Sequence, residues 1–395
     1  MTTTQINSSK VIKKLPVFQD DKDLLSFLER SLTDNLKQFI KVSITTLVKA
    51  EMEQIRLELQ NSGNLVPAFN GSYGRNLISP FGKIEDVPIP RFREGFKDNT
   101  PTVLNSFEDE KDRTWDLLRD MHLLGISQRK VKQIAEKHLG LNISTKAIKE
   151  ATHELVMHES NQINNQVVDD DYEFLYMDGI WEKVKGSGWD NTKAVVLCVL
   201  GLKTDGTRKL IGFSLARAED EDSWLELLTD IKRRGLSGKS LSMVIMDDSA
   251  GAKVAIDKVY SKVLIQNCLI HKVRSVFLKT SYKHRTAVSE DMKVIMTANS
   301  PDEAMNAAKA IVKKWYTKEE HAMNSLRHNF EYCLTYLQFP KDKWKLIRST
   351  NILEREFREV RRRTKVNDHS FNNFDSARRY HEGIFQYLNQ YYPAR

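Results

Sequence analysis

Two aspartates and a glutamate occupy positions where an acid asks for an explanation. Asp178 sits in YMDGIW, flanked by the apolar Leu175 and Met177. A carboxylate there is destabilising unless a counter-charge or a metal ion pairs with it. Asp247 closes the apolar run VIMD, and ligand sites of α/β sheets gather at the carboxyl ends of strands. Hard carboxylates without a histidine cluster suit Mg²⁺ or Mn²⁺ rather than zinc. Two such ions can activate a nucleophile and stabilise a leaving oxygen in phosphoryl transfer. Glu354 is the candidate third ligand. It lies early in NILEREFREVRRRTKV, after Ser349 or Thr350 as cap, and shares its helix with Arg355, Arg358, Arg361, Arg362, Arg363 and Lys365. A lone acid in a basic run fits a metal site set against a phosphate backbone. A solvated, salt-bridged helix fits the same pattern, and periodicity alone leaves both readings open.

Positioning these residues takes a sheet. EFLYMDGIWEKV, KAVVLCVLGLK and RKLIGFSLA read as three strands, with a hairpin turn at Thr204-Asp205-Gly206-Thr207. A helix follows at SWLELLTDIKRRG, with Trp224, Leu227, Leu228 and Ile231 on its apolar face. Then come a strand ending at Asp247, a helix at GAKVAIDKVY and a strand through KVLIQNCLI. Three strands followed by alternating helix and strand predict a mixed sheet flanked by helices. That order is the one found in the ribonuclease H-like fold, and the first strand would lie beside the one that ends at Asp247. Residues 281–345 read as an all-helical insertion. Trp315 and Trp344 within it are read as core, with stacking on an unpaired base as the alternative. Residues 346–395 carry the Glu354 helix and an aromatic-rich tail helix.

The chain ahead of residue 170 reads as helical and DNA-facing. Residues 1–60 hold a helix with Leu24, Leu25, Phe27, Leu28, Leu32, Leu36, Phe39 and Ile40 at helical spacing, a packing or dimerising element. Residues 61–105 are rich in glycine and proline and predict two strands around a turn near Phe81-Gly82. Arg75, Lys83, Arg91, Arg93 and Lys97 make that hairpin basic. Residues 106–160 have a helix-turn-helix rhythm, with one helix ending near Leu124-Gly125, Ser127 and Ser144 as caps, and a break at Gly140. The last of these helices would present Thr145, Lys146 and Lys149, as a recognition helix in the major groove requires. An ordinary three-helix bundle is the plain alternative.

Composition narrows the class. The 395 residues exceed what one core usually supports. A net charge of +8 favours a polyanionic partner. Three cysteines, Cys198, Cys268 and Cys333, argue for a reducing compartment and against a disulfide framework. No apolar run approaches the roughly 20 residues that span a bilayer. The expectation is a soluble, cytoplasmic protein with no membrane contact.

Four segments, YMDGIWEKVKGSG, EDEDSWLELLTDIKRRGL, VIMDDSAGAK with QNCLIHKVRSV, and STNILEREFREVRRRTK, resemble in content, order and spacing the bacterial Mutator-type insertion-sequence transposases. The resemblance covers about residues 70–380 and implies an α/β, ribonuclease H-like catalytic domain (170–280 and 346–395) broken by the helical insertion. It implies that Asp178, Asp247 and Glu354 are catalytic and bind Mg²⁺ or Mn²⁺. Asp248 replaces the small residue usual beside the second aspartate; neighbouring strand residues face opposite ways, so one of the pair is expected to bind metal. Cys268 and His271 match the family's Cys-x-x-His pair and would support the site. The resemblance implies cutting of double-stranded DNA at terminal inverted repeats, transfer of the 3′-OH to target DNA, a homodimer, association with the nucleoid and a circular transposon intermediate. Arg91, Arg93, Lys146, Lys149, Lys272, Arg274, Arg355, Arg358, Arg361, Arg362 and Lys365 are the expected DNA contacts. A nuclease of the same fold, or an inactive DNA-binding descendant of a transposase, would share much of this pattern.

Overall fold

A computed structural model describes residues 20–61, 68–93, 101–156, 162–185, 191–364 and 371–391. The chain divides into two compact units. One takes the described residues up to Leu118 with Arg129–Thr145; the other takes Arg119–Gln128 and Lys146–Arg395.

In the first unit, helix α1 (Asp21–Asn61) packs on an antiparallel hairpin of β1 (Phe69–Ser79) and β2 (Gly82–Phe92). Gly82 takes a φ of 101°, which a β-carbon disfavours, so the turn after Phe81 closes there. Ile44, Val48 and Met52 of α1 meet Leu77, Ile84, Val87 and Ile89 of the hairpin in one core. Only that stretch of the helix is buried. Leu25, Leu28, Leu32, Leu36 and Phe39 are exposed, Phe39 by 69 %.

Three helices follow: α2 (Asn105–Leu123), α3 (Gln128–Ile134) and α4 (Thr145–Val156). Gly125 (φ 96°) follows α2, and α3 runs on as a π-turn to Leu139, which Gly140 (φ 63°) terminates.

The second unit is built on a five-stranded sheet. β3 (Tyr172–Lys185), β4 (Asn191–Lys203) and β5 (Arg208–Ala216) form an antiparallel meander, turned at Gly206 (φ 87°) as its spacing predicts. α5 (Glu221–Arg233) then leads to β6 (Met243–Met246), and α6 (Ala250–Val259) to β7 (Leu264–Asn267). The order across the sheet is β5-β4-β3-β6-β7, with β6 parallel to both β3 and β7. β7 is shorter than its apolar run. Cys268 leaves the strand to cap α7 (Leu269–Lys279), so Leu269 and Ile270 are helical. The sheet has two cores because side chains alternate across it. Leu175, Met177, Val244 and Met246 pack with Trp224, Leu228 and Ile256 of α5 and α6. Tyr176, Ile180 and Ile245 pack on the opposite face with Leu269, Leu353, Phe357 and Phe385.

Residues 281–347 hold α8 (Arg285–Thr297), α9 (Pro301–Trp315), α10 (Glu320–Arg327) and the short α11 (Trp344–Ile347), with 3₁₀ turns between the last two. Trp315 is buried and its indole donates to Asp291 at 2.6 Å; the Trp344 indole donates to the Phe339 carbonyl at 2.7 Å. Both are held within the protein. α12 (Asn351–Thr364) and α13 (Phe374–Tyr391) complete the unit. Among the described residues, no helix is long and apolar enough to cross a membrane.

Candidate active site

Strand register brings the two aspartates together. Met177 of β3 pairs with Met246 of β6, so the next residues, Asp178 in the middle of β3 and Asp247 just past the end of β6, stand side by side where the parallel pairing stops. Met177 and Met246 face α5 and α6. Asp178 therefore turns to the other face, where α7 and α12 lie. Glu354 enters from the first turn of α12, anchored by buried Leu353 and Phe357 on either side.

His271 stands between the second and third carboxylates. Its Nδ1 is 2.5 Å from Asp247 Oδ1 and its Nε2 is 3.0 Å from Glu354 Oε1. The first contact is a hydrogen bond; the second lacks hydrogen-bond alignment, and Glu354 Oε1 is buried with no hydrogen-bond partner. Bonds from Asp247 and Cys268 raise the His271 pKa to about 10, so the imidazole is a cation near neutral pH. Cys268 explains the placement. It caps α7 and its buried sulfur accepts the amides of His271 (3.5 Å) and Thr350 (3.4 Å). One thiol thus ties the start of α7 to the start of α12. Asp247, Cys268 and His271 offer ligand atoms within 4.8 Å of one another, but the sulfur already accepts two amides.

Asp178 is pushed up to about 7, first by burial and then by the charge of Asp247, with the Gly179 amide (2.7 Å) and His271 pulling the other way. A fourth carboxylate, Glu219, adds to that push. Burial foremost, and also Asp247, raises the pKa of Glu219 itself, against the pull of the Trp224 indole. Sequence reasoning passed over Glu219, because it stands in the acidic run Glu219-Asp220-Glu221-Asp222 with nothing to single it out. Two glycines seat it. A β-carbon on Gly179 would lie 3.5 Å from Glu219 Oε2 and 2.8 Å from Val195 Cγ2, and one on Gly251 would lie 2.6 Å from the Glu221 amide nitrogen and 2.9 Å from the Asp220 carbonyl carbon. Gly251→Ala should therefore push the backbone of that loop off α6. We expect a loss of about 1–3 kcal/mol, the usual scale of overpacking, read as a lower urea midpoint. An unchanged midpoint would show that the loop is free to shift.

Asp248 has a different role from its neighbour. Its carboxylate accepts from Asn267 (3.1 Å), Asn329 (2.9 Å) and Lys272 (3.0 Å). Burial works to raise its pKa, but Asn329 and Lys272 hold it below the usual range. Asp247 and Asp248 thus face different partners.

The basic residues fall into three groups. On α12, Arg358, Arg361 and Arg362 follow Glu354 at i+4, i+7 and i+8, so all three share its side of the helix. They and Arg355 are exposed, and Arg362 pairs with Glu359 at 2.8 Å. Arg91, Arg93, Lys146, Lys149 and Arg274 are also exposed; Arg91 donates to the Asn70 carbonyl at 2.9 Å, and Lys146 pairs loosely with Glu150 at 3.5 Å. Lys272 departs from the expected phosphate contact. It is buried, and its ammonium donates to Asp248, to the Ser325 carbonyl (3.3 Å) and to the His328 carbonyl (2.7 Å). Lys97 and Lys365 lie outside the described residues.

A mixed α/β sheet that brings two carboxylates together where its central parallel pair stops, beside an arginine-lined helix, describes a class of site. The particular family follows from comparison with known proteins. Residues 17–393 match the model of the transposases of the Mutator family, and the chain belongs to that family. It is 28 % identical over 380 residues to the transposase for insertion sequence element IS905 of Lactococcus lactis, covering 93 % of each chain. It is 27 % identical to the transposase for ISRM5 of Rhizobium meliloti, over 84 % of this chain and 82 % of that one. Against the transposase for IS406 of Burkholderia multivorans it is 30 % identical, over 75 % of each.

Proposed function

We propose that this chain is a metal-dependent transposase that cuts DNA at the terminal inverted repeats of its element and joins the freed 3′-OH to target DNA, with Asp178, Asp247 and Glu354 as its catalytic carboxylates. The observation that carries this reading is the meeting of the two aspartates in parallel register beside a glutamate on an arginine-lined helix. The sheet order, three antiparallel strands followed by two parallel ones, supports a ribonuclease H-like catalytic domain.

The residues fit a hard divalent cation. Their donors are carboxylate oxygens, Glu354 Oε1 is buried with no hydrogen bond and only the His271 ring nitrogen beside it, and burial pushes the Asp178 pKa up to about 7, a charge that a bound cation would relieve. Asp178, Asp247 and Glu354 would hold Mg²⁺ or Mn²⁺, which supplies charge stabilisation on the attacking and leaving oxygens. The arginines that follow Glu354 along α12 would hold phosphates and fix the strand without reading its sequence. In each step one P–O bond forms and one breaks: water attacks first, then the 3′-OH, with no covalent link to the protein. Two ends act together, so a homodimer is the working form, and the exposed apolar face of α1 supports it. The test is incubation of the chain with Mg²⁺ and linear DNA carrying the repeats that flank its gene. Nicks at the repeat boundary, abolished by a chelator, support the reading; intact DNA overturns it.

Cation binding should depend on pH. Asp178 (about 7) and His271 (about 10) both carry protons below those values, and each proton opposes a bound cation. Affinity for Mn²⁺ should therefore rise with pH, by about tenfold per unit below pH 7 for each proton released. Titration calorimetry at pH 6 and pH 7 measures this; equal affinities would contradict the proton count.

A further inference from the structure

The insertion is clamped to the catalytic sheet along one line. Lys272 of α7 reaches the carbonyls of Ser325 and His328 at the end of α10, and Asn329, at a φ of 51°, turns its amide onto Asp248. Farther along, the Ser275 and Ser325 hydroxyls meet at 2.9 Å, and Lys279 donates to Ser325 at 3.1 Å. A buried ammonium with all its protons used is a rigid floor. Above it, between α7 and α10, a cleft of about 670 Å³ opens at Asp247 and His271.

The lining states what the cleft could hold. His321, Asn324 and His328 come from α10 and the residue after it, and Lys279 from α7. His321, Asn324, His328 and Lys279 are exposed. Of the two acids in the wall, Asp248 is already neutralised by Lys272. Cations and amides suit phosphates, and imidazole faces suit bases. The volume is that of a small-ligand cleft, room for part of one strand rather than for a whole duplex.

We propose that the cleft between α7 and α10 takes one DNA strand, unpaired, alongside Asp247, so that the helical insertion opens the end where it is cut. This rests on the transposase reading. It gives Asp248 and Lys272 a purpose: they set the wall of the cleft rather than touch the scissile phosphate.

The test uses the full chain, without divalent cation, and a duplex end with 2-aminopurine beside the cut. Binding by the wild type should raise the fluorescence severalfold as the base unstacks. His321→Ala/Asn324→Ala should melt at the wild-type temperature, since both side chains are exposed, and should hold the duplex with similar affinity by anisotropy. The fluorescence should stay quenched, and with Mg²⁺ the paired end should be cut about tenfold more slowly, the scale of one lost stacked base. Equal fluorescence from both chains, on an end that both bind, overturns the cleft assignment alone. A wild-type chain that neither binds nor cuts the end overturns the transposase reading, and this assignment with it.

Discussion

Glu354→Gln and Asp178→Asn should each cut cleavage and joining by at least about a thousand-fold, the scale of loss when one member of a catalytic set is removed. Binding to the repeat should stay within about twofold, because contacts to phosphates elsewhere supply most of the affinity. The two variants should differ in stability. The folded chain holds the Asp178 proton up to about pH 7, whereas the unfolded chain releases it near pH 4. Between those values the folded state binds more protons, so this group's contribution to stability is present below pH 4 and is lost as pH rises to 7. An asparagine cannot ionise and can still accept the Gly179 amide. Asp178→Asn should therefore be more stable than the wild type at pH 8, by about 1–2 kcal/mol after allowing for partial exposure. Thermal melting at pH 4 and pH 8 shows this: the two chains should agree at the lower pH and diverge at the higher. A variant less stable than the wild type at pH 8 would mean that Asp178 is paired rather than strained.

Lys272→Ala should be the most damaging substitution outside the carboxylates. It strands Asp248, which keeps two amide donors but loses its counter-charge, and it leaves the Ser325 and His328 carbonyls without their ammonium donor. Breaking a buried pair by removing one partner costs about 3–5 kcal/mol; Asp248 is 28 % exposed, which places the loss near the lower figure. The double variant Lys272→Ala/Asp248→Asn should recover part of it, because the uncompensated charge is gone. Urea midpoints of the three chains measure the coupling. If the single and double variants unfold together, Asp248 and Lys272 are not a working pair.

Much of the site could be read from the residues. The meander, its turn at Gly206 and the strand that stops at Asp247 follow from apolar runs and turn chemistry. The meeting of Asp178 with Asp247 then follows from strand order. Lys272 shows where charge misleads. The family resemblance implies a DNA contact there, which suits its charge. Yet Leu269 and Val276, three before and four after it, are both buried, and helical spacing places Lys272 on their face. The apolar neighbours, not the charge, indicated its direction. Glu219 was illegible for the opposite reason. Four consecutive acids look alike in sequence, and the approach of Glu219 to Gly179 of β3 is what picks it out. The position of His271 between two carboxylates also needed the fold, because it depends on Cys268 leaving β7 to cap α7.

The most direct test supplies the chain with a pre-cut repeat end bearing a labelled 3′-OH, a supercoiled plasmid and Mg²⁺, and measures label joined covalently to the plasmid. Joined product from the wild type, absent with Glu354→Gln or a chelator, is the predicted result. Plasmid that is nicked but never joined would make the chain a nuclease, and undiminished joining by Glu354→Gln would remove Glu354 from the catalytic set.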